Sequence, residues 1–98
     1  MFHILWQFET SDSQRPDFTT AYGPSGPWAE FFRDAPGYLG TELFQRCLEP
    51  PCFLTVDHWE SRAVYEAFRR ERAAEYAALD AACEGLTTTE RFLTAWED

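Results

Sequence analysis

The sequence predicts an α+β domain: a four-stranded antiparallel sheet with its helices on one face, in the ferredoxin-like order βαββαβ. Residues 2–9 alternate, with Phe2, Ile4, Trp6 and Phe8 on one side and His3, Leu5, Gln7 and Glu9 on the other, which is the period of a strand with one strongly apolar face. Residues 38–46 and 53–59 are two further strand-like runs with no helical segment between them, so they should be antiparallel neighbours. Helical patterns flank that pair on both sides, and a threonine-rich run closes the chain.

Taken in order, residues 10–17 are polar and carry Pro16, so they read as a loop leading to a helix that begins near Asp17 or Phe18 and stops at Gly23-Pro24. A second helical piece is expected over about residues 27–34, with Pro27 in its first turn, Ser25 or Gly26 as its cap and Pro36-Gly37 beyond its end. Gly23, Pro24, Ser25, Gly26 and Pro27 are poor helix formers set between apolar and aromatic residues. A phosphate cradle is excluded there, because Pro24 and Pro27 lack N–H groups and no lysine stands near Ser25. What remains is a bend, which either arches the chain over a pocket with Tyr22 and Trp28 on its two lips or shortens the helix to fit the sheet. The two central strands are joined across Cys47 to Cys52 by a segment whose paired prolines suit a hairpin loop. Ser61 then caps one long helix over about residues 62–84, with a supporting Glu66–Arg70 pair, a buried stripe of Val64, Phe68, Tyr76, Leu79 and Cys83, and Gly85 as its stop. Residues 86–97 form the last strand, with Leu86, Thr88, Glu90, Phe92, Thr94 and Trp96 on one face.

The 98 residues suit a single domain spanning 1–98, and 45% hydrophobic residues place it among globular proteins. No stretch is long or uniform enough to cross a bilayer, and the first residues lack the basic leader of a signal peptide, so a cytoplasmic protein with no membrane partner is expected. A formal charge of −9 repels a phosphate backbone and argues against nucleic acid. Three cysteines without a close pair suggest neither a disulfide framework nor a zinc knuckle, and two histidines far apart give no metal-ligand spacing. One helical layer covers only one side of a sheet. Apolar side chains such as Leu5, Leu39, Leu43, Leu54, Val56 and Leu93 therefore call for cover on the other, and a homodimer packed sheet against sheet supplies it most simply.

Trp6 and Phe8 in the first strand, "APGYLGTEL" at residues 35–43, "DHWES" at residues 57–61 and the helix that follows resemble the antibiotic biosynthesis monooxygenase family, a dimeric α/β-barrel group that includes haem-degrading enzymes. The resemblance covers nearly the whole chain. It implies a pocket between helices and sheet for a small hydrophobic aromatic or quinol-like ligand, and an oxygenation that needs no cofactor. The alternative it leaves is a non-catalytic homodimer on the same scaffold, ligand-binding or stress-related. In the haem-degrading branch the pocket is marked by an asparagine late in the first strand, a tryptophan in the long helix and a histidine beyond it. Here those places hold Trp6 or Gln7, Phe68 and the stretch around Ala77, which leaves no axial ligand for haem iron.

Cofactor-free oxygenation needs a base, a holder for developing charge and a dry wall. His58 is the better base by its ordinary pKa, and Asp57 lies beside it in sequence but on the opposite face of a regular strand. If Asp57 faces the helices, it shares that face with Thr55 and Trp59. Arg72 interrupts the apolar stripe and either reaches a substrate oxygen or pairs with Glu75. Tyr22, Trp28, Tyr65 and Tyr76 each combine a ring with a polar tip and suit an aromatic ligand, as core residues or as pocket walls. Trp6 and Phe68 complete the expected substrate-binding set.

Overall fold

The computed structural model describes residues 1–47 and 52–98. The alternation of the first segment gives strand β1 (Phe2–Glu9), whose apolar side chains Phe2, Ile4 and Phe8 are buried on the face the helices cover. Helices α1 (Arg15–Tyr22) and α2 (Pro27–Arg33) follow. Helix α1 starts two residues earlier than the composition of its loop suggests: Pro16 sits inside its first turn, where a missing N–H costs nothing. Gly26 caps α2, and its extended backbone lets the two helices meet at close range. A Cβ on Gly26 would lie 2.2 Å from the Thr20 carbonyl oxygen and 2.5 Å from that of Ala21.

Strands β2 (Tyr38–Gln45) and β3 (Phe53–Trp59) pair antiparallel. The expected hairpin connection between them, residues 48–51, lies outside the described residues. Ser61 caps α3 (Arg62–Glu71), its Oγ accepting from the Val64 N–H at 3.2 Å. The single long helix expected here is two, because the chain turns at Arg72 before α4 (Ala73–Cys83). No proline or glycine stands at that point. The turn follows tertiary contacts, with Phe68 resting on Trp59 and Phe32 while Tyr76 meets Trp28 edge-on at 5.0 Å. A 3₁₀ turn over Glu84–Leu86 takes up the predicted start of the last strand, so β4 covers Thr89–Glu97.

The sheet has the order β2-β3-β1-β4, all neighbours antiparallel, as the ferredoxin-like arrangement requires. Its core is aromatic: Trp59 and Phe18 are wholly buried, and Phe2, Phe8, Phe32, Phe53, Phe68 and Trp28 pack around them. The register of β4 differs from a regular ladder. Thr94 stands opposite Leu5 while Phe92 stands opposite Trp6, so Leu93 is a surplus residue, a bulge. Alternation therefore breaks in mid-strand. Glu90 and Phe92 share the helix face with Ala95 and Glu97, while Thr94 and Trp96 turn to the other side.

That other side is partly apolar, with Phe44 and Trp96 each close to half exposed. It also carries a row of polar contacts across the strands. Glu42 Oε1 lies 2.6 Å from His58 Nε2, the Nδ1 atoms of His58 and His3 are 2.7 Å apart, and His3 Nε2 is 3.1 Å from Asp98 Oδ2. The His3 ring stacks on Trp96 with centroids 5.0 Å apart.

Candidate functional site

The period of two along β3 decides which polar groups meet the helices. Thr55, Asp57 and Trp59 face them, and Thr41 stands opposite Asp57 on β2. Beneath α1, α2 and α4 this patch bounds a cavity of about 40 Å³. Its floor holds Trp6, Phe8, Thr41, Thr55 and Asp57, and its roof is Tyr22, Trp28, Phe32 and Tyr76. Asp80 of α4 and Glu90 of β4 line one side. The space admits a few water molecules; a cavity that holds a benzene is on the order of 150 Å³. A ring-sized guest therefore needs its walls to move.

Asp57 is the acid of this cavity. Burial pushes its carboxyl up to about 6, against smaller opposing effects from the Thr41 hydrogen bond and the His58 charge. Thr41 Oγ1 donates to Asp57 Oδ1 at 2.6 Å, and since a hydroxyl has one hydrogen, the Tyr38 hydroxyl donates to Thr41 at 2.5 Å. The carboxylate is thus fixed from one side, with its proton affinity set close to neutrality. Burial also raises the hydroxyl of Tyr76 to about 12 and raises that of Tyr22 further, so both stay neutral and able to donate. Glu90 is raised as well, by burial and then by Asp80. Trp28 Nε1 is buried and makes no hydrogen bond of full geometry among the described residues, although it lies close enough to the Tyr22 hydroxyl and the Cys83 thiol to lower both against the effect of burial, and its ring lines the cavity. A buried N–H held only weakly costs stability and can turn to a ligand oxygen.

The expected site residues divide between this cavity and other places. Asp57, Trp6, Tyr22, Trp28 and Tyr76 line it. His58 points to the opposite face, into the row with Glu42 and His3, so its ring stays out of the cavity and only its charge acts on Asp57. Arg72 binds Glu75 through Nε at 2.5 Å and lies 3.5 Å from Asp34, with its guanidinium carbon 5.2 Å from the Phe31 ring centre. It holds α4 to α2 at the surface. Phe68 belongs to the core beside Trp59. Tyr65 lies under α3 against Phe2, its hydroxyl accepting from Arg69 at 2.9 Å. Thr41, Asp80 and Glu90 were not expected. A polar residue alternating on the helix-facing side of a strand was the available signal for Thr41; Glu90 shares a face with Phe92 as expected, but pairing with β1 decides that this face meets the helices.

The chain belongs to the antibiotic biosynthesis monooxygenase family, whose model matches residues 1–79. Its fold is shared with a candidate antibiotic biosynthesis monooxygenase from Deinococcus radiodurans, at 18% identity and a TM-score of 0.75 over 100% of this chain and 92% of that one. It is also similar to SnoaB, a cofactor-independent oxygenase from Streptomyces nogalater, here a variant of that enzyme, at 14% identity and a TM-score of 0.65 over 99% and 94% of the two chains. A variant of MhuD with two manganese protoporphyrin IX molecules per active site matches at 20% identity and a TM-score of 0.70, over 100% and 94%. No curated protein sequence matches the chain. Among the described residues no helix is long and apolar enough to cross a membrane.

Proposed function

We propose that this protein is a cofactor-independent monooxygenase that oxidises a small hydrophobic aromatic or quinol-like molecule, with Asp57 as the base. The observation that carries the reading is a carboxyl raised to about 6 inside an aromatic-walled cavity, since a base poised near the working pH transfers protons best. Asp57 takes a proton from an activated C–H or O–H of the substrate, and the Trp28 N–H, with the Tyr76 hydroxyl, holds the oxygen on which charge develops. The resulting electron-rich anion reacts with O₂. For a methylene flanked by rings the balance is simple: one oxygen atom becomes the new carbonyl, and the other leaves as water with both methylene hydrogens.

The protein acts as a homodimer packed through the sheet face that the helices leave bare, where Phe44 and Trp96 are exposed. A monomer in sedimentation at micromolar concentration overturns that assembly. Oxygen uptake with anthrone and with hydroquinone tests the activity: Asp57→Asn is expected to lower it by about 10²- to 10⁴-fold. No uptake by the wild-type protein with either compound, or full uptake by the variant, overturns the assignment. The small volume of the cavity favours a second reading, a homodimer that binds such ligands without turnover. Haem degradation is disfavoured by the position of the imidazoles, since both histidines of the chain face away from the cavity.

A further inference from the structure

The sheet face away from the helices carries four titratable side chains in one row: Glu42 on β2, His58 on β3, His3 on β1 and Asp98 just past β4. Strand pairing puts them there. His3 stands opposite His58 across the two central strands and opposite Trp96 on β4. His3 is 6% exposed, with its ring stacked on Trp96. Glu42 is the open end of the row, its side chain 57% exposed. The Met1 amino group lies 3.2 Å from Asp98 Oδ1, Asp57 is next to His58 but on the helix side, and Glu9 and Arg91 stand further along the same face.

Three hydrogen bonds join the four groups, and each needs one hydrogen. Asp98 is held below the usual carboxylate range, first by the hydrogen bond from the Met1 amino group and then by that from His3, so Asp98 accepts and His3 Nε2 donates. Between the two Nδ1 atoms, 2.7 Å apart, one nitrogen donates and the other accepts. The last hydrogen lies between His58 Nε2 and Glu42 Oε1, 2.6 Å apart. Two neutral imidazoles beside two carboxylates supply only two hydrogens. The row is therefore complete only when it holds one proton more, which cancels one of its two negative charges. Without that proton, lone pairs face each other at one contact; with yet another, two N–H groups meet head-on between the rings.

Beside the row, Leu5, Leu54, Val56 and Phe44 form an apolar stripe on the same face. A second copy turned about a two-fold axis sets stripe against stripe and covers both rows. In the free protomer a row short of its third hydrogen relaxes at little cost, because Glu42 turns to water. Under a second sheet the unmatched contact is left without water and is costly. The extra proton also relieves repulsion between two chains that each carry a formal charge of −9.

We propose that docking of a second copy on this face is coupled to the uptake of one proton by each His3–His58 row, so that the dimer forms with the rows complete and loosens when those protons leave. This rests on the homodimer reading above and adds what regulates the assembly.

Sedimentation equilibrium of the full chain between about pH 6 and about pH 9, the range that brackets imidazole charging, tests it. The wild-type dimer Kd is expected to rise at least about tenfold over that range, with a limiting slope of about a hundredfold per pH unit for two protons per dimer. Glu42→Gln is the diagnostic variant, because its amide donates to His58 Nε2 and completes the row with no extra proton. Its Kd is expected to stay within about threefold across the range, and at about pH 9 to be at least about tenfold tighter than wild-type. Glu9→Gln removes the same charge from the same face outside the row and is expected to keep the wild-type slope. A wild-type Kd that is flat with pH, a full slope in Glu42→Gln, or loss of the slope in Glu9→Gln overturns the coupling and leaves the dimer standing. A monomer at every pH overturns both.

Discussion

Replacing Asp57 by asparagine should make the protein more stable at neutral pH and less active. The carboxyl is raised from 3.8 to about 6, chiefly by burial, so the folded state holds its proton more tightly than the unfolded chain does. Stability from this group is fully present below about pH 4 and is lost as pH rises through about 6. A shift of about two units at ~1.4 kcal/mol each amounts to up to ~3 kcal/mol against the ionised protein above about pH 7. The amide has nearly the same shape, and its oxygen still accepts from Thr41, so the neutral side chain avoids that cost. Urea unfolding of the two proteins at about pH 8 and about pH 4.5 measures it. Asp57→Asn should exceed wild-type by up to ~3 kcal/mol at the higher pH, and the difference should shrink by more than half at the lower. Equal stabilities at pH 8, or a difference that does not change with pH, would show that the carboxyl is not held against ionisation, and the proposed base would lose its tuning.

The same carboxyl sets the activity profile: kcat/KM for oxygen uptake should climb as pH rises through about 6 and then level, which a pH series checks directly. His58→Ala, on the opposite face, should leave oxygen uptake within about threefold of wild-type, whereas a hundredfold loss would move the base to the imidazole. Trp28→Phe keeps an aromatic ring and removes the weakly held N–H, so kcat should fall about tenfold or more with KM little changed. Gly26→Ala should cost about 1–3 kcal/mol in urea unfolding, because the new methyl group meets two carbonyl oxygens of α1.

Most of the scaffold was legible because it depends on local periods. The alternation of residues 2–9 and the cap at Ser61 appear where the sequence sets them. Two features were not legible, and both arise from distant contacts. The turn at Arg72 has no breaker in its own sequence and is fixed by how Phe68 and Tyr76 meet different partners. The bulge at Leu93 depends on the pairing with β1, so a strict alternation along residues 86–97 misplaced Thr94 and Trp96. For the site, the strand period was enough to set His58 and Asp57 on opposite faces, and it left open which face the helices would cover. Ordinary pKa values then favoured the histidine, while burial, which reverses that preference, appears only in three dimensions.

The surplus residue in β4 selects the sign of the charge beside the Tyr22 hydroxyl. In an unbulged ladder with the same C-terminal pairing, Leu93 would face Trp6, and Arg91 would stand where Glu90 now does, opposite Phe8. A guanidinium there would lower the Tyr22 hydroxyl that Glu90 now raises, and would stand as a counter-charge to Asp80. One inserted amino acid thus keeps that corner of the chamber acidic.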